Sequence, residues 1–169
     1  MRVVEVLVSV GLAVVAWLAL GPVPAMIPAL AVAAVTPPLT RVDLAEHRLP
    51  NRLVAPALLA GVAGLGLSVL VSGAPLAPVL ASVAYAGLLF VVALFGGMGM
   101  GDVKLAAALG LASPVPVIAL GSALLAFLLG GIAAVIVLIR RGRRARIAFG
   151  PFLLTGYFAA LGLSALIGL

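Results

Sequence analysis

The chain carries two aspartates, Asp43 and Asp102, and these are the residues best suited to catalysis. With no cysteine and a single histidine, the chain excludes thiol catalysis, cysteine-ligated zinc and multi-histidine metal sites. Two carboxyl groups held close together cannot both ionise easily, so one of them keeps a proton. The ionised carboxylate can then take a proton from water, while the protonated carboxyl donates to a carbonyl oxygen. Such a pair needs no metal ion or cofactor, provided that the fold brings the two aspartates together.

Asp102 follows a glycine-rich segment, FGGMGMGDVK at residues 95–104. Because glycine disfavours a helix interior, we predict an unwound segment here, with a short helix starting near residue 103 and Asp102 as its N-cap. The same glycines would let an extended peptide approach and pair by strand addition. A simpler interpretation is that Asp102 only caps the helix and that Lys104 anchors it at the membrane interface.

Asp43 lies in the segment TRVDLAEHRLPNR at residues 40–52, which we predict to be a loop. Taken alone, Asp43 could be an ordinary juxtamembrane acid balanced by Arg41 or Arg48, since surface ion pairs of this kind are common. Glu46 is expected to pair with Arg48 or Arg52 in the same way.

The elements that must position these aspartates are membrane helices. Hydrophobic residues make up 66% of the 169 residues, and only ten Lys or Arg and four Asp or Glu are present. This composition excludes a soluble globular protein. It also excludes a nucleic-acid binder despite the net charge of +6, because such a binder presents its basic residues on a solvated face. The predicted fold class is therefore an all-α, polytopic transmembrane bundle.

The charges divide the chain into uncharged runs at 6–40, 53–101, 105–139 and 147–169. A spanning helix needs roughly 20 apolar residues, so proline and glycine breaks inside the runs predict spans near 4–20, 23–39, 53–71, 77–95, 103–113, 116–139 and 150–168. The fifth is too short to cross alone and is expected to insert only partly, so the count is six or seven. The first 20 residues could instead be a signal peptide, although Glu5 argues against it.

The parity of these spans predicts that the charged clusters at 41–52, 102–104 and 140–146 lie on one membrane face. Five of the charged residues are the arginines of the third cluster, whereas the turns at the opposite face carry no Lys or Arg. The positive-inside rule then places the charged face, and both aspartates, in the cytoplasm.

Three segments carry a family resemblance. Gly99-Met100-Gly101-Asp102 resembles the Gly-x-Gly-Asp motif of intramembrane aspartyl proteases, and the string GMGDVKLAAALG at 99–110 resembles the prepilin peptidase branch, also called the type IV leader peptidases. Asp43-Leu44 with Leu49-Pro50-Asn51 is similar to the first aspartate motif of that branch, and Phe149-Gly150-Pro151-Phe152-Leu153 to its third signature. The three motifs occur in the order of the family and together cover about residues 40–155.

The resemblance implies that Asp43 and Asp102 are the catalytic pair and that Gly99, Gly101 and Lys104 shape substrate binding. It implies one membrane-embedded peptidase domain over residues 1–169, with an N-terminal helical hairpin at 1–39 and a core at 40–155 that bears the motifs. The expected substrate is a prepilin or pseudopilin precursor, cleaved at the cytoplasmic face of the inner membrane without a cofactor. Nothing corresponds to the cysteine-containing methyltransferase domain of long members, so the short form typical of Flp/Tad-type pili is expected.

A second hypothesis remains open, that of a small proton- or ion-coupled transporter subunit with Asp102 as a relay carboxylate at a broken helix. The two hypotheses differ at Asp43. A loop aspartate outside a permeation path matters little to a transporter, whereas a catalytic pair fails without either member.

Overall fold

Seven α-helices make up nearly all of the described chain in the computed structural model, which describes residues 2–73, 76–96, 98–141 and 147–168. The helices are α1 (Arg2–Leu20), α2 (Met26–Glu46), α3 (Asn51–Ser72), α4 (Leu76–Leu94), α5 (Met100–Leu111), α6 (Pro116–Arg141) and α7 (Gly150–Ile167). Within those ranges no residue is in a strand. The predicted all-α bundle is confirmed, and each predicted span overlaps one helix.

Five helices are long and apolar enough to cross a membrane: α1, α3, α4, α6 and α7. The chain is therefore a multi-pass membrane protein. Helix α2 is not among the five, because its prolines and its charged last turns lower its mean hydropathy. Helix α5 has 12 residues and a length of about 18 Å, so it is too short to cross alone, as predicted.

The short helix α5 lies at the centre of the bundle, in contact with α2, α3, α4, α6 and α7. Its closest approach is to α4, where a Cβ atom at Gly110 would collide with the backbone of Ser82. The Ser82 hydroxyl donates to the carbonyl oxygen of Ala107 at 2.9 Å across the same contact. On the α7 side, the Tyr157 hydroxyl donates to the carbonyl oxygen of Ala112 at 2.9 Å. The end of α5 is thereby fixed on two sides by buried contacts.

The contacts that charged side chains make between helices lie at the opposite end of α5. Arg41 on α2 pairs with Glu5 on α1 at 2.8 Å. The Lys104 ammonium of α5 donates to the side-chain oxygen of Asn51 at 2.9 Å, which joins α5 to the start of α3. These contacts bring the charged N-terminus and the first two charged clusters to one end of the bundle. Residues 142–146 of the third cluster lie outside the described residues.

Candidate active site

Asp43 belongs to the last turn of α2, which continues through Glu46. The predicted loop at 40–52 was therefore wrong at both ends, since residues 40–46 belong to α2 and α3 begins at Asn51. The helix ends where His47 adopts a left-handed conformation with φ of 51°, and its N–H donates to the carbonyl oxygen of Asp43 at 2.8 Å. Since Asp43 stands on a helix that is anchored by packing, its carboxyl group is held more rigidly than a loop residue would be.

The side chain of Asp43 is 3% exposed and accepts a hydrogen bond from a distant part of the chain. The backbone N–H of Gly150, the first residue of α7, donates to its Oδ2 at 2.8 Å. The two arginines proposed to balance Asp43 pair elsewhere, Arg41 with Glu5 and Arg48 with Glu46 at 2.7 Å. The interpretation of Asp43 as an ordinary juxtamembrane acid was therefore wrong, whereas the predicted pairing of Glu46 is confirmed.

Asp102 lies within the first turn of α5, whereas the sequence predicted that it precedes this turn. The helix begins at Met100 with Gly99 as its N-cap, so the prediction that Asp102 is the N-cap was wrong. Instead, Asp102 occupies the third helical position and its Oδ2 accepts the Gly99 N–H at 3.1 Å. An acidic side chain there satisfies the N-cap donor in the manner of a capping box. The other oxygen, Oδ1, is buried and has no hydrogen-bond partner among the described residues.

Asp43 and Asp102 line the same cavity, which has a volume of about 770 Å³. Gly99 and Gly101 lie in its wall beside Asp102. The remaining wall comes from the segment at 47–49, from the residues around the start of α5, from α6 and from the segment before α7: His47, Arg48, Leu49, Gly96, Met98, Met100, Phe127, Gly130, Gly131, Ala134, Ile147 and Phe149. The cavity thus combines two carboxyl groups with a wall that is about half polar and half apolar. Lys104 is not part of this wall, since it points to Asn51.

Burial shifts the acidity of both carboxyl groups, which lie outside the five spanning segments. Burial raises the pKa of Asp102 from 3.8 to about 6, the Gly99 N–H opposes this shift, and the charge of Asp43 adds to it. Burial also raises the pKa of Asp43, against the lowering effects of the Gly150 N–H and the nearby His47. Both carboxyl groups therefore keep their protons to a higher pH than exposed aspartates do.

Gly101 is the residue that lets the two aspartate-bearing segments approach. A Cβ atom at Gly101 would lie 2.8 Å from the Leu49 Cβ and 2.9 Å from the Leu49 carbonyl oxygen. Real Cβ atoms do not approach backbone this closely, so the first turn of α5 packs against residue 49 only because position 101 is glycine. The role of Gly101 is therefore at least structural, since it closes the cavity between the two motifs.

Gly150 is the residue of the site that the sequence did not assign. A Cβ atom at this position would lie 2.8 Å from Asp43 Oδ2 and 3.0 Å from a methyl group of Leu49. Glycine therefore lets the start of α7 reach the carboxyl group and donate to it. Pro151 occupies the first turn of α7, where its missing N–H costs nothing. The Phe149–Leu153 motif indicated that this region belongs to the site. It did not identify Asp43, 107 residues earlier in the chain, as the hydrogen-bond partner of Gly150.

The fold and the cavity define a class: a multi-pass helical membrane protein with two carboxyl groups in the wall of one open cavity. The model of the type IV leader peptidase family matches residues 26–139, more than half of the chain and including both aspartates, and the chain belongs to this family. It is accordingly a peptidase by family, and the predicted resemblance is confirmed. A comparison with curated proteins found no match. A comparison with solved structures found none either.

Proposed function

We propose that this protein is an aspartic endopeptidase that removes the short basic leader from prepilin- or pseudopilin-like precursors. The family supports prepilin-type substrates in general. The observation that carries the proposal is the meeting of Asp43 and Asp102, from two separate motifs, in the wall of one cavity. Burial raises the pKa of both carboxyl groups, and a pair with raised pKa values can keep a proton on one member while the other is ionised, as acid–base catalysis needs.

In the proposed reaction, the ionised carboxylate takes a proton from a water molecule, and the water oxygen attacks the scissile carbonyl carbon. The protonated carboxyl gives its proton to the carbonyl oxygen, which produces a neutral gem-diol. When this intermediate collapses, the C–N bond breaks, and the nitrogen takes the proton of the carboxyl group that received it from water. One gem-diol hydroxyl gives its proton to the other carboxylate, which restores the pair. The products are a leader with a new carboxyl group and a shortened precursor with a new amino group. Water attacks directly, so no acyl-enzyme forms.

Gly99, Gly101 and Lys104 would have unequal parts in substrate binding. The two glycines line the cavity, and Gly99 is exposed. An extended substrate could therefore lie against the backbone of this segment, as proposed for strand addition. Lys104 contacts Asn51 outside the cavity wall, which favours a role in joining the two aspartate motifs over contact with the scissile bond.

The proposed active-site face is the cytoplasmic face of the inner membrane. The pairing of Arg41 with Glu5 and of Lys104 with Asn51 gathers charged residues at the end of the bundle that holds the cavity. The positive-inside rule assigns a face of this kind to the cytoplasm. In this arrangement the hairpin at 1–39 and the core at 40–155 form one membrane-embedded domain, supported by the contacts of α1 with α2 and α7.

The proposed hydrolysis is testable with purified protein in detergent micelles. We expect it to shorten a purified prepilin-type precursor without any added metal ion or cofactor. In water enriched in ¹⁸O, one heavy oxygen should enter the new carboxyl group of the leader, as measured by mass spectrometry. A detergent micelle does not separate two aqueous compartments, so a transporter would not shorten the precursor in this assay. Intact precursor after prolonged incubation, with several prepilin-type substrates, would contradict the proposed function.

A further inference from the structure

Resting on the proposed function, we propose that the groove between α4 and α6 binds the apolar helix of the precursor and thereby delivers the adjoining peptide bond to Asp43 and Asp102. The groove has a volume of about 510 Å³. It is lined by Leu80, Ala81, Ala84, Tyr85 and Leu88 of α4 and by Pro116, Val117, Ala119, Leu120 and Ala123 of α6.

The groove has a surface suited to an apolar occupant. Its rim consists of exposed aliphatic side chains, with Leu80 at 60% and Leu120 at 59% exposure. The Tyr85 hydroxyl is the main polar group in its wall, and it forms a hydrogen bond of 3.1 Å with the buried Ser122 hydroxyl. Because this group already has a partner, a polar ligand would find little to bind, whereas an apolar helix would bury aliphatic surface.

The groove and the catalytic cavity lie on one continuous face of α6. Residues of α6 that line the groove or the cavity follow one another every three or four positions: Pro116, Leu120, Ala123, Phe127, Gly130 or Gly131, and Ala134. Residues at this spacing share a helix face. The distance from Pro116 to Phe127 along the axis is about 17 Å, or three turns of helix.

Helix α4 follows the same path. Its groove residues Leu80, Ala84 and Leu88 lead towards Gly96, which lies just beyond the end of α4 and lines the cavity. The cavity wall also has open space at Gly131, where an added Cβ atom would meet no atom of the described residues within 4 Å. A chain lying in the groove and extended along these two helices would point towards the cavity.

From groove to cavity the lining changes from uncharged to charged, and the proposed substrate changes in the same order. No charged residue occurs at 53–101 or 105–139, so the groove is uncharged, while the cavity at its end carries Asp43 and Asp102. A precursor of the proposed class joins an apolar helix to a short basic leader. With the helix in the groove, the junction lies at the aspartates and the leader at the charged end. A lipid tail or a second copy of this chain could bind an apolar groove anywhere on the bundle, so neither accounts for a groove that leads towards the cavity.

The test compares two substrates of the same cleavage sequence: the full precursor, and a short soluble peptide without the apolar helix. Ala84→Phe fills the groove at an exposed position, and Ala63→Phe makes the same change at an exposed position of α3 outside both cavities. For Ala84→Phe, the ratio of kcat/KM for the precursor to that for the peptide should fall at least tenfold, mainly through KM. For Ala63→Phe the ratio should equal that of the wild type. An unchanged ratio for Ala84→Phe, with cleavage otherwise normal, would overturn the groove proposal and leave the proposed function standing.

A photo-crosslinking amino acid at Leu120, in the inactive Asp102→Asn background, identifies the occupant directly. An adduct with the precursor, competed by unlabelled precursor, supports the proposal. Adducts only with lipid or with a second copy of the chain would overturn it. Failure of the wild type to cleave either substrate would instead count against the proposed function, so the two failures are distinguishable.

Discussion

The Asp102→Asn variant is expected to lose cleavage by a factor of about 10³ or more and to be more thermostable than the wild type at neutral pH. Asparagine preserves the shape and can still accept the Gly99 N–H, but it cannot hold or release the catalytic proton. Burial raises the pKa of Asp102 to about 6, so the folded state bears a cost for its ionised form. Replacing the carboxyl group removes that cost of up to about 3 kcal/mol.

The pH dependence of this stability difference is the specific signature. A carboxyl group whose pKa is raised in the folded state destabilises the protein at every pH at which the unfolded chain would ionise it. The variant should therefore match the wild type below about pH 4, and its advantage in Tm should grow between about pH 4 and 6 and level off above about 6. Thermal unfolding followed by circular dichroism in one detergent between pH 4 and 8 measures this. A constant difference across that range would show that Asp102 is not buried as described.

The Gly150→Ala variant is expected to lower kcat by about 10²-fold while leaving the bundle folded. The added methyl group would lie 2.8 Å from Asp43 Oδ2, so the carboxyl group must move away and lose its N–H donor. A displacement of about 1 Å at a reacting group has an effect of this size. Loss of the donor also raises the pKa of Asp43, since that hydrogen bond lowers it, so the acid side of the pH–rate profile should shift upward.

Gly162→Ala is the matched control for this prediction, because it makes the same change on the same helix. A Cβ atom at Gly162 would lie 3.7 Å from a methyl group of Val15, an ordinary contact. It should keep wild-type kcat and an unshifted pH profile. If Gly150→Ala reduced activity without moving the acid limb, Gly150 would act only in packing and not by positioning the carboxyl group.

The sequence predicted the helices of this protein well because their signals are local. Uncharged runs and proline or glycine breaks placed all seven segments, including the short α5. The errors arose at the helix ends that carry the aspartates. Asp43 was assigned to a loop because charged residues interrupt the apolar run, yet α2 continues until His47 turns it. Asp102 was assigned to the N-cap because glycines precede it, yet Met100 and Gly101 are helical.

The contacts that build the site could not be predicted from the sequence because they join residues that are far apart in the chain. The hydrogen bond from Gly150 to Asp43 and the fit of Gly101 against Leu49 depend on how α2, α5 and α7 pack. A glycine beside a motif indicates close backbone approach but does not identify the neighbour. The pairing of the two aspartates could be predicted only through family resemblance, while their common cavity came from the fold.

Cleavage by the Asp43→Asn variant is the measurement that tests the proposed pair most directly. Wild type, Asp43→Asn and Glu46→Gln are purified in parallel, and the leader product of one precursor is quantified over time. Glu46→Gln makes the same acid-to-amide change one helical turn away, at an exposed side chain paired with Arg48, and should cleave normally. We predict that Asp43→Asn, although folded, releases no leader above background. Leader release near the wild-type rate by Asp43→Asn would contradict the pair and leave Asp102 to act with a different partner.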